Sequence, residues 1–287
     1  MKRNNLARRH LIAKLFKLFC GLVTWGGVLV LMILLYHIFI DGYKWVDWQF
    51  LTSYPSRFVH KAGIKSAFVG TIWMVGFTGL ISIPVGICAA IYLEEYATKG
   101  KLSSFIEVNI ANLAGVPSIV YGILGLALFV RFADLGRSIL SGSLTMSLLI
   151  LPVIIIASRE AIKAVPPSIR LAAYALGGTK LQTIYSHVFP SALPGILTGV
   201  ILALSRAIGE TAPLIMIGAL TFIAFLPEGP MDSFTVLPIQ IFNWVSRPQE
   251  DFQHVAAGGI IVLLIVLISM NATAVFIRQR AERKNHQ

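Results

Sequence analysis

Arg206 and Glu210 are the residues most suited to chemistry in this sequence. They are the only charged residues of a forty-residue apolar segment, Val188 to Pro227. Spacing of four places both side chains on one side of a helix. Charged side chains inside hydrocarbon are costly, and where they occur they usually serve a function. An arginine fork binds two oxygens of an oxyanion at once, and a nearby carboxylate can neutralise it between binding events.

Small residues precede this pair at helical spacing. Gly195, Gly199 and Ala203 share the predicted face with Arg206, and small residues let a second helix approach closely. Such a face belongs in a pore or a helix interface. Two interpretations of the pair therefore stay open. Arg206 lines a translocation pathway, or the pair is a structural ion bridge to a second membrane subunit.

The composition identifies the environment of these elements. Hydrophobic residues make up 56% of the chain and charged residues 13%, with a mean hydropathy of +0.77. Soluble domains have about 25% charged residues, so the sequence indicates an integral membrane protein. The net charge of +11 does not require a nucleic acid, because the basic residues lie in short loops and tails.

Uncharged runs long enough to cross a bilayer predict an all-α fold with six transmembrane helices. The runs are Leu18–Ile40, Ser66–Leu93, Val108–Val130, Ser138–Ser158, Val188–Pro227 (interrupted only by the charged pair) and Val255–Ile277. A tight turn at the pair would give seven spans instead. Basic tails at residues 1–17 and 278–287 place both termini in the cytoplasm, which requires an even number. We therefore expect one six-span domain at 18–277, with 16 Lys and Arg on the cytoplasmic side and seven outside.

The longest predicted cytoplasmic loop, residues 159–190, carries signals for a helix–turn–helix. Pro166 and Pro167 suit a helix start, and Gly177-Gly178 suits a helix end. Thr179 can then cap a second short helix that ends near Pro190. An alternative is that these segments are ordinary helices lying on the membrane surface.

Part of this loop, "LAAYALGGTKLQTIYSHVFP" from Leu171 to Pro190, resembles the EAA motif of binding-protein-dependent ABC importer permeases. Ala172, Ala173, Gly177 and Pro190 match its small residues, glycine and proline. Leu171 stands where the motif usually has Glu. The resemblance implies that this loop couples the permease to ATPase subunits.

Three further stretches resemble the phosphate permeases of the Pst system, on their PstA-like side. They are "SALPGILTGVILALSRAIGETAPL" (191–214), "PVGICAAIYLEEYA" (84–97) and "GVPSIVYGILGLALFV" (115–130). The resemblance implies a type I importer permease (MetI-like) fold in the bacterial cytoplasmic membrane. It also implies phosphate as substrate, a homologous second permease as heterodimer partner, two ATP-binding subunits and an external phosphate-binding protein.

Other classes lack support in the sequence. The sequence has no G-x-x-x-x-G-K-[ST] phosphate loop, so ATP hydrolysis is expected of a partner subunit. It also has no H-E-x-x-H motif and no pair of cysteines that could bind a metal, so neither a metal nor a cofactor is expected. Two alternatives remain: a permease for sulfate or molybdate, and a secondary transporter or channel subunit in which Glu210 carries protons or Arg206 selects anions.

Overall fold

The computed structural model describes residues 2–98, 100–219 and 222–285, with side chains described for 8–280 within those ranges. Regular structure in these residues is helical. The longer helices are α1 (Lys2–Gly42), α3 (Lys65–Ile91), α4 (Lys101–Ala114), α6 (Ile139–Lys163), α9 (Phe189–Gly209) and α12 (Asp251–Asn285). The shorter ones are α2 (Trp48–Thr52), α5 (Ser118–Gly125), α7 (Pro167–Ala175), α8 (Lys180–Thr183), α10 (Ala212–Ile217) and α11 (Leu237–Val245). Segments of π-helix, Tyr92–Tyr96, Leu126–Phe132 and Ile184–Val188, extend α3, α5 and α8.

Five of these helical stretches are long and apolar enough to cross a membrane, and a bent pair supplies a sixth. The bent pair is α4 with α5, which meet at an angle of 101°. Gly115 ends α4, and Pro117 cannot donate the backbone hydrogen bond that would continue it. The six predicted spans are thus found, and the third, predicted at Val108–Val130, is bent at Gly115 to Pro117.

The fifth apolar run is neither one long helix nor two spans. Helix α9 ends at Gly209, and the short α10 follows after Glu210 and Thr211. Residues 234–237 then pack against both α6 and α3. Phe234 is buried against Gly142 of α6, and the Leu237 N–H donates to Thr71 Oγ1 of α3 at 2.9 Å. This arrangement rejects the seven-span alternative.

Helix α6 is the centre of the bundle, and 67% of the residues in its most apolar 18-residue stretch are buried. Hydroxyl groups fasten it to α3. Ser143 Oγ donates to the Met74 carbonyl at 3.2 Å, and Ser147 Oγ donates to the Thr78 carbonyl at 3.3 Å. In hydrocarbon, hydrogen bonds of this kind hold helices together where the hydrophobic effect does not.

Helix α9 packs on α6 through glycine. A Cβ atom added at Gly199 would lie 2.3 Å from the Ala157 Cβ, and one added at Gly195 would lie 2.7 Å from the Ala161 Cβ. The backbones of the two helices therefore approach as closely as the sequence predicted for a small-residue face. The partner is a helix of the same chain.

Helix α1 differs from the rest of the bundle. No residue in its most apolar 18-residue stretch is buried, and the helix packs mainly against α12. At its end, Gly42 lies against the backbone of Ala257 and Gly258, where a Cβ would come within 2.6 Å of the Ala257 carbonyl carbon. Its remaining surface is open to lipid or to another subunit.

We expect Gly199→Ala to lower the free energy of unfolding, because the new methyl group must push α9 away from Ala157. Overpacking of this kind costs about 1–3 kcal/mol. Unfolding of the purified permease by SDS in mixed micelles measures it. Gly76→Ala is the matched control, since Gly76 also lies inside a span but a Cβ added there would meet no neighbouring atom within 4 Å. Equal stability of the two variants would contradict close α6–α9 packing.

Candidate functional site

Arg206 lies in the last turn of α9, and Glu210 is the first residue beyond it. Arg206 Nε and Glu210 Oε1 are 3.2 Å apart. The negative end of the helix dipole favours a cation at this position. The Arg206 side chain is 47% exposed and that of Glu210 is 21% exposed. The pair thus lies at the surface of this chain and not in its core.

The predicted common face of α9 divides into two parts. Gly195 and Gly199 contact α6, whereas Arg206 and Gly209, nearer the end of the helix, are exposed. Arg206 thus lies on the predicted side of α9 but beyond the part of it that α6 covers. Because Arg206 lies outside the α6–α9 contact, its guanidinium is accessible to a group from outside this chain.

Helices α10 and α5 lie next to this pair. Pro213, three residues beyond Glu210, sits against Gly122 of α5, where a Cβ would come within 2.7 Å of the Pro213 Cα. The break in α9 and the bend between α4 and α5 are thereby brought to one region. A guanidinium has five N–H donors, so the Nε contact with Glu210 leaves capacity for other acceptors.

The second predicted site, residues 159–190, forms the expected helix–turn–helix. Helix α7 begins at Pro167, and Gly177 takes the left-handed φ of +81° that glycine adopts most easily. Thr179 caps α8 in a capping box with Gln182.

The second helix does not end near Pro190, as the sequence had suggested. It passes through the π-helical segment Ile184–Val188 into α9, so that Lys180–Gly209 is one apolar helix of 30 residues. Pro190 lies in the first turn of α9, where its missing N–H costs little because the turn before it is already irregular. The coupling region and the charged pair are thus opposite ends of one helix.

The four predicted coupling residues differ in accessibility. Ala172 and Gly177 are exposed, Ala173 is buried and Pro190 is half-buried. Around them the loop presents large exposed apolar side chains, which we call the coupling surface: Leu171, Tyr174, Leu176, Leu181 and Tyr185. A groove of about 140 Å³ runs beside it, lined in part by Leu176, Gly178 and Gln182. Exposed apolar surface of this kind marks a site of contact with another protein or with the membrane.

Sequence reasoning missed a set of ion pairs at the same end of the bundle. Arg170 contacts Glu95 at 2.7 Å, and Arg159 contacts both Glu94 at 3.0 Å and Glu107 at 2.9 Å. A signal for these pairs was present in the sequence. Two adjacent carboxylates, Glu94 and Glu95, follow the predicted span Ser66–Leu93, and Arg159 and Arg170 lie in the loop after the span Ser138–Ser158. The contacts of these arginines with Glu94 and Glu95 join residues 65 and 75 positions apart along the chain.

Among the residues that the structure describes, no group of three or more His, Cys, Asp and Glu side chains is placed to hold a metal ion.

Comparison with known proteins places these features in a family. Residues 82–284 match the family described as binding-protein-dependent transport system inner membrane component. A probable ABC transporter permease from Bacillus subtilis, YqgI, is 32% identical over 85% of this chain and 87% of its own. The phosphate transport system permease PstA 1 of Mycobacterium tuberculosis is 34% identical over 80% of this chain and 74% of its own.

Solved structures show the same fold. A bacterial alginate ABC transporter matches with a TM-score of 0.66 at 15% identity, over 96% of both chains. The MetNI methionine ABC transporter matches with a TM-score of 0.62 at 15% identity, over 74% of this chain and 93% of that chain. The predicted type I, MetI-like permease fold is confirmed. The chain belongs to the family of inner membrane components of binding-protein-dependent transport systems.

Proposed function

We propose that this chain is the membrane-spanning subunit of an ATP-driven importer that carries inorganic phosphate across the cytoplasmic membrane. The observation that carries the proposal is the exposed Arg206–Glu210 pair at the end of an apolar span. Its context supports phosphate, because a relative named as a phosphate transport permease shares 34% identity over 80% of the chain.

In this mechanism Arg206 donates hydrogen bonds to phosphate oxygens as the anion passes. A planar guanidinium can contact two of those oxygens together. Glu210 competes for Arg206 and so keeps the binding weak, which conduction requires because a substrate must also leave. Hydrogen phosphate retains one proton near neutral pH, and that O–H can donate to the Glu210 carboxylate.

The same contact argues against sulfate or molybdate as the substrate. These dianions carry no proton near neutral pH, so their oxygens can only accept hydrogen bonds. A carboxylate beside Arg206 would repel them without any compensating bond. The pair therefore suits hydrogen phosphate better than either alternative.

The proposal assigns ATP hydrolysis to partner subunits. The coupling surface of this chain would dock one ATP-binding subunit, and the corresponding surface of a homologous second permease would dock another. An external phosphate-binding protein would deliver the substrate. Closure of the ATP-binding subunits would displace the coupling region and switch the pathway between inward and outward access. A secondary transporter would have no use for the exposed apolar coupling surface.

We expect Arg206→Lys to reduce phosphate uptake while the complex still assembles, because lysine keeps the charge but loses the fork. Loss of a hydrogen bond to a charged group costs about 1.5–3 kcal/mol, or about 10- to 160-fold in rate. Uptake of radiolabelled phosphate, with excess sulfate or molybdate as competitor, measures both the rate and the substrate at matched membrane levels.

Arg280→Lys is the control for this variant, since it makes the same change at an exposed position near the end of α12. Unchanged uptake in Arg206→Lys would remove Arg206 from the pathway. Loss of assembly in Arg206→Lys would support the alternative of an ion bridge to the second permease. Competition by sulfate as strong as that by unlabelled phosphate would refute the assigned substrate.

We expect Leu176→Ala to weaken retention of the ATP-binding subunits without lowering the stability of the permease alone. Leu176 is 90% exposed in this chain, and burial of such a side chain in an interface is worth about 1.5–3 kcal/mol. Copurification of the ATP-binding subunits with tagged permease provides the measurement. Leu102→Ala, at another exposed leucine outside the coupling surface, should retain them fully. Equal retention by both variants would show that docking occurs elsewhere.

A further inference from the structure

The side chain of Arg170 joins three helices at the coupling end of the bundle. Its Nε and Nη2 atoms donate to Glu95 Oε1 at 3.0 and 2.7 Å. Its Nη1 donates to the Val165 carbonyl at 2.7 Å, and Nη2 also donates to the Ile162 carbonyl at 3.0 Å. Arg170 belongs to α7 and Glu95 to the π-helical end of α3, while the Ile162 carbonyl lies in the last turn of α6 and the Val165 carbonyl in the turn that follows it.

Arg170 adds a donor for these acceptors. The Ile162 carbonyl already accepts from the Val165 N–H at 3.2 Å, and carbonyl groups at the end of a helix carry the negative end of its dipole, which a cation stabilises. Glu95 is 8% exposed, so its carboxylate is also largely removed from water. One guanidinium satisfies all of these groups, whereas a lysine ammonium has three donors and no fork with which to span them.

Two of the three helices joined by Arg170, α3 and α6, already form a unit with α9. Hydroxyl groups of Ser143 and Ser147 fix α6 to α3, and Gly199 allows close packing of α9 on α6. Helix α7 packs on this unit through Ile169 and is connected by a short turn before Pro167 and the left-handed Gly177 after it. Turns of this kind hold the orientation of a helix less firmly than side-chain contacts do.

We propose that Arg170 is a positioning residue that transmits movement of the coupling helix α7 to the spans α3 and α6. The inference rests on the proposed function, since it concerns how ATP hydrolysis is converted into transport. With the contacts of Arg170 in place, displacement of α7 moves α3 and α6 with it. Without them, α7 moves alone and ATP is hydrolysed without transport.

The test uses the complete transporter in proteoliposomes with its external binding protein, and measures phosphate imported per ATP hydrolysed. Arg170→Lys and Glu95→Gln should assemble and hydrolyse ATP, yet import less phosphate per ATP. Coupling between linked sites has a typical size of about 5- to 150-fold, so a loss of at least about fivefold is expected. Lys163→Gln is the control, because its ion pair with Glu160 is exposed and spans 4.0 Å.

A charge exchange, Arg170→Glu with Glu95→Arg, separates the three-way contact from a simple ion pair. It restores opposite charges but places a carboxylate beside the Ile162 and Val165 carbonyls. We expect no recovery of the phosphate imported per ATP. Full recovery would show that the contacts of Arg170 with the Ile162 and Val165 carbonyls are not needed for transmission. An unchanged ratio in both single variants would overturn the proposal altogether.

Failure of this inference can be told apart from failure of the proposed function. If the wild-type complex imports no phosphate, the proposed substrate is wrong. If it imports phosphate and the Arg170→Lys ratio is normal, only the transmission role is wrong. Should Arg170→Lys fail to assemble, Glu95→Gln decides the matter by the same criterion, since it removes a charge and leaves both carbonyl contacts intact.

Discussion

Close backbone contact of α6 with α3 and α9 is the constraint on which the rest of the structure depends. Lipid tails are as apolar as leucine, so burial of apolar surface does not drive helices together inside a bilayer. Small residues and satisfied hydrogen bonds must do so. Gly199 against Ala157 and Ser143 against the Met74 carbonyl supply both, at different heights along α6. The positions of the other helices follow from this three-helix core.

The core brings two distant sites into mechanical connection. Helix α9 continues α8, so the coupling region begins the same 30-residue helix that ends at Arg206 and Glu210. At about 1.5 Å per residue, the distance from Lys180 to Arg206 along that helix is about 39 Å. Because α9 is also packed on α6 without a gap, a shift at one end cannot be absorbed by loose packing near the middle.

Much of the fold could be predicted from the sequence, because apolar runs and turn residues act locally. The five long helices, the capped turn at Thr179 and the left-handed Gly177 are of this kind. Two features depended on context. Pro190 proved compatible with a continuous helix because a π-helical turn precedes it, and the angle of 101° at Gly115 to Pro117 is not given by the hydropathy of that run.

The sequence shows which charged residues lie at the cytoplasmic end of the spans, but not which of them pair across distant segments. Nothing local in the sequence links Arg170 to Glu95, since their pairing requires α3, α6 and α7 to be placed first. The pairing of Arg206 with Glu210 could be predicted because the two residues are four apart, but the exposure of their side chains could not. That exposure has a consequence of its own. A charged pair half open to hydrocarbon would be costly, so this side of α9 must face water or another protein in the assembled transporter. The proposed translocation pathway, placed between this chain and a second permease subunit, would supply both surroundings at once.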